Sequence, residues 1–192
     1  MALFIIQDCK AEYSKNLLPI NSSYNGTNTW LITGGSAAEN SSEIVYSGQK
    51  SLKITAPHSF NTIICSTATD IYSAFKTGKY VFGFRVYENS ITTLANNFAV
   101  KVNFFKNNVF YKSEKYNTYE QNFLGQLDYK QNTWNTFSTI LDMQINDILT
   151  WSFELDNEIT QPKTSYFYFD GLKLEYDDRK LNGQPTYYTE PV

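Results

Sequence analysis

Apolar and polar residues alternate along much of this chain. In residues 80–87 every second side chain, from Tyr80 to Val86, is aromatic or aliphatic, and residues 98–105 and 149–155 repeat the pattern. Alternate residues of a β-strand point to opposite faces, so this period predicts strands with one buried face. Shorter runs predict further strands at residues 30–33, 43–46, 51–55, 62–66, 109–113, 134–141 and 165–174.

Short breaks rich in turn-forming residues separate these strands. Asn107-Asn108 is one of them, since asparagine tolerates the backbone conformations that tight turns need. Residues 70–75 predict one short turn of helix with Asp70 as its N-cap, and residues 114–128 lack alternation and predict a long loop. About ten strands without crossover helices predict an all-β protein, an antiparallel β-sandwich or jelly roll.

Four fragments occur in a characteristic order. Residues 16–24 read NLLPINSSY, residues 47–54 read SGQKSLKI, residues 77–86 read TGKYVFGFRV and residues 166–174 read YFYFDGLKL. Together they resemble the jelly-roll carbohydrate-binding modules, whose sequences open near NLLPNGSFE, pass through SGxxSLKV and GKxYxFSFxVK, and close on YYxDDVxL. The resemblance implies a jelly-roll β-sandwich over residues 16–176.

Two terminal arms lie outside this resemblance. Residues 1–15 include an apolar stretch that predicts an N-terminal arm able to add an edge strand. Residues 177–192 are polar, contain two prolines and predict an extended C-terminal arm. Terminal segments stay ordered when they pack on something, so we expect the arms to contact the domain or neighbouring copies.

The resemblance also implies a candidate calcium site. Modules of this type commonly hold a structural Ca²⁺ near an aspartate of the final strand, and Asp170 stands at that position. Asn25 falls where the family has a glutamate, so one carboxylate is missing and the site at Asp170 and Asn25 is weakened. Because a hard cation needs six to eight oxygens, two alternatives remain open: a retained structural Ca²⁺, or an Asp170 that caps a turn.

Charge and composition exclude several classes of protein. The formal net charge is −3 and the basic residues are scattered, so we expect no nucleic-acid partner. No apolar run approaches the length of a transmembrane helix, so we expect no membrane partner. The single histidine, His58, lies in a predicted turn and gives no nucleophile–base arrangement.

One acidic motif is compatible with a catalytic site. Glu154, Asp156 and Glu158 resemble the E-x-D-x-E strand of jelly-roll β-glucanases, where alternate carboxylates act as nucleophile and general acid. Asn157 stands where an apolar residue is expected, and the run leads directly into a turn. We therefore predict that the protein is not an enzyme and keep a small glycosidase as a remote alternative.

Residues opposite the apolar positions form a candidate glycan-binding face. If the apolar residues point inward, these residues line one outer sheet face and combine aromatic plates with hydrogen-bonding groups, as a sugar site requires. The candidates are Arg85, Tyr87, Lys101, Asn103, Phe105 and Glu154. Trp134 matches a position that is usually core in the family. The alternative is an ordinary solvated or partner-covered face.

These features predict a non-enzymatic virion protein, such as a phage capsid- or tail-associated decoration protein. The N-terminus lacks the features of a signal peptide, so we expect synthesis in the host cytoplasm and assembly into a virion. The terminal arms would bind other virion proteins or copies of the chain, and the module would contact surface polysaccharide weakly. The alternative is an extracellular glycan-binding module of a polysaccharide-degrading system.

Overall fold

The computed structural model describes residue 17 and residues 30–33, 37–56, 63–67, 72–74, 76–89, 98–117, 130, 132–155 and 164–177. Eleven β-strands lie in this part of the chain. They are β1 (Trp30–Thr33), β2 (Ala37–Ser41), β3 (Ser51–Ala56), β4 (Ile63–Thr67), β5 (Tyr72–Ser73), β6 (Gly78–Asn89), β7 (Phe98–Lys106), β8 (Val109–Asn117), β9 (Trp134–Met143), β10 (Ile148–Leu155) and β11 (Ser165–Tyr176).

The strands form two antiparallel sheets that pack as a sandwich. The six-stranded sheet has the order β1-β4-β10-β7-β8, and β5 pairs with β10. The five-stranded sheet has the order β2-β3-β11-β6-β9. This architecture confirms the predicted all-β antiparallel sandwich. In the described part of the chain, no helix is long and apolar enough to cross a lipid bilayer.

The core between the sheets is aromatic. The ring of Phe84 lies 5.9 Å from Phe137 and 5.6 Å from Phe153, and Phe153 stacks on Phe169 at 4.1 Å between centroids. The inward positions predicted on β6, β7 and β10 are at most 4% exposed wherever burial is described. Truncation of one such ring to alanine typically costs about 3–5 kcal/mol, so these contacts hold the two sheets together.

The predicted break at Asn107-Asn108 is present, and it forms a tight hairpin turn. Lys106 pairs with Val109, so two residues connect β7 to β8. Both asparagines have positive φ, 51° and 63°, which is the conformation of a type I′ turn. Asparagine adopts it at lower cost than most residues because its side chain bonds locally.

The predicted strand at residues 43–46 is wrong. The strand of this region is β2, and residues 42–49 bend instead. The reason is a long-range contact, because the backbone N–H groups of Tyr46 and Ser47 donate to the Asp170 carboxylate rather than to a neighbouring strand.

Two further predictions are corrected. The helical turn at residues 70–75 is replaced at Tyr72 and Ser73 by β5, which pairs with Ile148 and Leu149, so tertiary pairing overrides the local signal. Asp70 lies outside the described residues. The predicted loop at residues 114–128 begins later, because β8 continues to residue 117.

Inward side chains of β8 explain this extension. The Tyr116 hydroxyl donates to Glu114 Oε2 at 2.6 Å and lies 3.4 Å from the Ile140 carbonyl oxygen, and Lys112 Nζ donates to the Asp142 carbonyl at 3.2 Å. Ile140 and Asp142 belong to β9, so β8 side chains close one side of the sandwich.

The boundaries of the predicted domain fall partly outside the described residues. Leu17, a residue of the first fragment of the resemblance, donates its backbone N–H to the Leu174 carbonyl at 2.8 Å and so lies alongside β11. Asp177, the first residue of the predicted C-terminal arm, donates to the Lys79 carbonyl at 2.9 Å. Residues 1–15 and 178–192 lie outside the described residues.

Candidate functional site

One row of side chains crosses the outer face of all five strands of the five-stranded sheet. The register places neighbouring members of the row directly opposite one another, from β2 through β3, β11 and β6 to β9. Alternation turns all of them away from the aromatic core. The row consists of Glu39, Lys53, Tyr168, Tyr87 and Trp134.

A second row lies beside the first and carries Arg85. Its cross-strand neighbours are Asp170 on β11 and Thr136 on β9. Arg85 Nε donates to Thr136 Oγ1 at 3.2 Å, and the guanidinium carbon lies 3.7 Å from the ring centroid of Tyr46. The hydrogen bond orients the Arg85 side chain, and the cation–π contact holds the Tyr46 ring against it.

Tyr46 reaches this surface because Asp170 holds its backbone. Asp170 Oδ2 accepts hydrogen bonds from the N–H groups of Tyr46 at 2.8 Å and Ser47 at 3.0 Å. Oδ1 accepts from the N–H of Gly171 at 2.6 Å. The segment of residues 42–50 is thereby fixed against the sheet.

Three aromatic rings meet beside Arg85. Trp134 makes edge contacts with Tyr46 at 5.8 Å and with Tyr87 at 5.7 Å. Tyr46 is 44% exposed, and Tyr87 and Trp134 are partly exposed. We call Tyr46, Arg85, Tyr87 and Trp134 the aromatic face. Its rings are accessible and held in fixed orientations by their contacts.

A carboxylate–ammonium group borders the aromatic face. Lys53 Nζ contacts Glu43 at 2.8 Å and Glu39 at 3.6 Å, and the Tyr168 hydroxyl donates to Glu43 Oε2 at 2.8 Å. Hydrogen bonds from Lys53 and Tyr168 lower the pKa of Glu43, and the bond to Glu43 raises the pKa of Lys53. Both glutamates stay largely exposed, so their oxygens can accept hydrogen bonds from a ligand.

The pattern of donors around Asp170 does not fit a calcium ion. Asp170 is fully buried, and its two oxygens receive three backbone N–H groups, which suit an anion. Among the described residues, no group of three or more His, Cys, Asp or Glu side chains could hold a metal. Asn25 lies outside the described residues. The geometry matches the turn-capping alternative.

The structure divides the predicted glycan face between the two sheets. Arg85 and Tyr87 lie on β6, on the outer face of the five-stranded sheet. The other four candidates lie on the outer face of the six-stranded sheet, namely Lys101, Asn103, Phe105 and Glu154. The single-face prediction was wrong because alternation tells which side of its strand a residue occupies, but not which sheet contains the strand.

Glu154 does not lie in an open acidic row. Its Oε2 contacts Lys115 Nζ at 2.8 Å, and its side chain is 7% exposed. Its neighbour on β7 is Ala99. Asp156 and Glu158 lie outside the described residues, so only the first carboxylate of the β-glucanase-like motif is placed.

The sequence prediction missed two aromatic members of the site. Trp134 lies on the outer face rather than in the core, because Phe137 and Leu141 point inward and fix the alternation of β9. A polar inward residue, Asn135, hides this pattern. Its amide bonds the backbone of Lys130. Tyr46 carried no local signal, since its position depends on Asp170.

Comparisons with known proteins find similarity in structure. No family model matches the sequence, and no curated protein matches it. The enzymatically active domain of tailspike protein 4 from bacteriophage CBA120 is similar with a TM-score of 0.54 and 11% identity over 84% of this chain. The chain spans 21% of that tailspike chain, about a fifth of its length.

Carbohydrate-binding modules are also among the similar structures. A carbohydrate-binding module from the β-sandwich superfamily is similar with a TM-score of 0.47 and 13% sequence identity. The match covers 85% of this chain and 63% of the module's chain. The CBM22-1 xylan-binding domain of Paenibacillus barcinonensis Xyn10C is similar with a TM-score of 0.45 and 15% sequence identity. That match covers 86% of this chain and 97% of the xylan-binding domain. The shared feature is an antiparallel β-sandwich of two sheets. At these identities the likeness concerns the fold alone.

Proposed function

We propose that the protein is a glycan-binding β-sandwich whose site is the aromatic face. The observation that carries the proposal is the placement of three partly exposed rings beside paired charges on one outer sheet face. Aromatic rings cover the apolar C–H faces of sugars, and polar groups at the border fix the hydroxyls.

Each group has a distinct part in this proposal. Trp134 and Tyr87 provide the surface on which sugar rings pack, and Tyr46 adds a third ring from the segment above the sheet. Glu39 and Glu43 accept hydrogen bonds from sugar hydroxyls, and Lys53 holds Glu43 in its ionised form.

The site is arranged before a ligand binds. Asp170 fixes the backbone of Tyr46, and Tyr46 in turn packs on Arg85. A side chain already held in its binding orientation loses less conformational entropy on binding. The aromatic face should therefore bind without rearrangement of the sheet.

We also propose that the protein has no catalytic activity. Glu154, the carboxylate that the enzyme reading requires, is held by Lys115 and is largely buried. A retaining glycosidase needs two carboxyls about 5 Å apart across the scissile bond. Among the described residues, Glu154 has Ala99 and Ile64 as its cross-strand neighbours, and neither is acidic.

A virion location is part of the same proposal. The supporting observation is the structural likeness to a domain of a bacteriophage tailspike chain. In this setting the arms, residues 1–15 and 177–192, bind other virion proteins or further copies of the chain. Repetition on a particle converts weak sugar contacts into useful avidity. Deletion of either arm should prevent incorporation into particles, and full incorporation of truncated protein would contradict this location.

The glycan proposal is tested with the full-length protein on an array of neutral and acidic glycans. We expect selective binding that falls about tenfold or more in Trp134→Ala, because a central tryptophan commonly dominates binding energy. Trp134→Phe keeps a ring and should retain part of the affinity. The matched control is Leu31→Ala, an exposed apolar residue of the other sheet, which should bind as the wild type does.

Two results would contradict the proposal. The first is an array without any bound glycan. The second is glycan binding that Trp134→Ala leaves unchanged while thermal unfolding shows that the variant is folded.

A further inference from the structure

Six side chains form three cross-strand pairs on the outer face of the six-stranded sheet, opposite the aromatic face. The pairs follow one another along β7 and β8. Alternation places five of the side chains on one side, and a β-bulge brings the sixth, Phe110, to the same side. We call them the lysine–phenylalanine surface. They are Lys101 with Lys115, Asn103 with Ser113, and Phe105 with Phe110.

The first pair places two ammonium groups opposite each other. Like charges at directly opposed positions of an antiparallel pair are unfavourable. Glu154 balances one of them, because its Oε2 lies 2.8 Å from Lys115 Nζ. Lys101 has no acidic partner among the residues that the structure describes. This end of the surface therefore carries one unbalanced positive charge.

The third pair is aromatic because of a β-bulge. The register shifts between Phe104 and Phe105, so Phe110 rather than Tyr111 stands opposite Phe105. The Phe105 and Phe110 rings make an edge contact at 5.8 Å, and Phe110 is 54% exposed. Tyr111 instead donates its hydroxyl to Asp147 Oδ2 at 2.6 Å. The bulge thus presents a pair of rings at the surface.

The middle pair joins the charged end to the aromatic end. Asn103 is partly exposed and Ser113 is exposed, and they supply an amide and a hydroxyl. Alternate residues on a strand are about 6.8 Å apart, so the three pairs extend over roughly 13 Å. Charge, hydrogen-bonding groups and rings follow in order over the length of a short saccharide.

We propose that the lysine–phenylalanine surface binds an anionic saccharide, one that bears a carboxylate or a phosphate group. The acidic group contacts Lys101 and Lys115, sugar hydroxyls bond Asn103 and Ser113, and an apolar sugar face packs on the phenylalanine pair. The aromatic face differs in charge, because its border holds Lys53 between two exposed carboxylates. The two surfaces therefore favour different glycans on opposite sides of the sandwich.

The test compares two charged polymers with a neutral one, using the full-length protein without calcium. Polygalacturonate supplies carboxylates, its methyl ester supplies the same backbone without charge, and a poly(glycerol phosphate) teichoic acid supplies phosphates. Affinity is measured by titration calorimetry at low and at physiological salt. We expect the wild type to bind at least one charged polymer more tightly than the methyl ester, and more weakly as salt rises.

Matched variants assign the effect to this surface. Lys101→Gln should weaken binding of the charged polymer about three- to fivefold, the range of one exposed ionic contact. Lys79→Gln removes the same charge from the opposite sheet and should change affinity less than twofold. Glu154→Gln removes the negative charge beside Lys115 and should strengthen binding. Lys101→Arg should retain affinity.

If Lys101→Gln weakens binding of polygalacturonate, the acidic group recognised is a carboxylate. If it weakens binding of the teichoic acid, the group is a phosphate, and either result supports the proposal. Equal losses in Lys101→Gln and Lys79→Gln would overturn it, since net charge alone would then explain binding. Absence of binding to both charged polymers would overturn it as well. Measurement in Trp134→Ala separates the two surfaces, because loss of the aromatic face should leave the Lys101 effect intact.

Discussion

The Asp170 carboxylate accepts a 2.8 Å hydrogen bond from the backbone N–H of Tyr46, a residue 124 positions earlier in the chain. This contact joins the final strand to the segment that follows β2. It also explains two observations together, since it prevents residues 43–46 from forming a strand and places the Tyr46 ring over Arg85.

Asp170→Asn should destabilise the protein. The carboxylate accepts three N–H hydrogen bonds in a fully buried position, and the amide replaces one acceptor with a donor that faces N–H groups. Loss of charge-assisted hydrogen bonds at a buried site costs about 2–3 kcal/mol. Urea unfolding measures the free energy of unfolding directly.

A surface aspartate provides the control for that variant. Asp142 is 71% exposed and pairs with Lys79 at 3.3 Å, so Asp142→Asn should change the free energy of unfolding by less than about 0.5 kcal/mol. If both variants unfold like the wild type, the Asp170 contacts do not hold segment 42–50.

Calcium should not contribute to stability. The Asp170 oxygens already accept three N–H hydrogen bonds, which occupy most of the lone pairs that a cation would need. A ligand that binds only the folded state raises its stability by mass action. We therefore expect the same melting temperature in EDTA and in millimolar Ca²⁺. A rise of several degrees with Ca²⁺ would contradict this prediction and would show that the folded protein binds the metal.

Gly171 should tolerate asparagine better than alanine. Its φ is +59°, in the left-handed region, and an added Cβ would lie 3.5 Å from Arg85 Nη1, an ordinary contact. The cost of Gly171→Ala is therefore backbone strain, about 1–2 kcal/mol. Asparagine populates this region more readily, so Gly171→Asn should cost less. Thermal unfolding of the two variants tests the order, and a larger loss for asparagine would point to steric crowding instead.

The fold was predictable from the sequence because alternation is a local property. Residues 80–87 and 149–155 show period two directly, and the structure buries the expected side chains of β6 and β10. Membership of a sheet is not local, since some strands adjacent in sequence share a sheet, as β7 and β8 do, and others, such as β6 and β7, do not. Lys101 was therefore grouped with Arg85, although β7 and β6 lie in opposite sheets.

The aromatic face was predictable only in part. Tyr87 followed from the alternation of β6, but Trp134 was obscured by the inward Asn135, and Tyr46 depends on a contact with a distant residue. A residue placed by a long-range hydrogen bond leaves no periodic signal in its own segment.

The ion pair of Glu43 and Lys53 should contribute to stability only at intermediate pH. Hydrogen bonds from Lys53 and Tyr168 lower the pKa of Glu43 below 4.5, so its contribution is present above that value and is lost as the pH falls through the lowered pKa. The bond to Glu43 raises the pKa of Lys53 above 10.5, so its contribution is present below that value and is lost as the pH rises through the raised pKa.

Glu43→Gln tests this dependence, because glutamine keeps the shape and removes the charge. We expect the wild type to melt at a slightly higher temperature than the variant at pH 7, since Glu43 is 58% exposed and solvent partly screens its charge. The difference should vanish well below pH 4.5. Glu39→Gln, whose carboxylate lies farther from Lys53 at 3.6 Å, should show a smaller difference. A melting difference that persists unchanged into acid would assign the effect of Glu43 to packing rather than to charge.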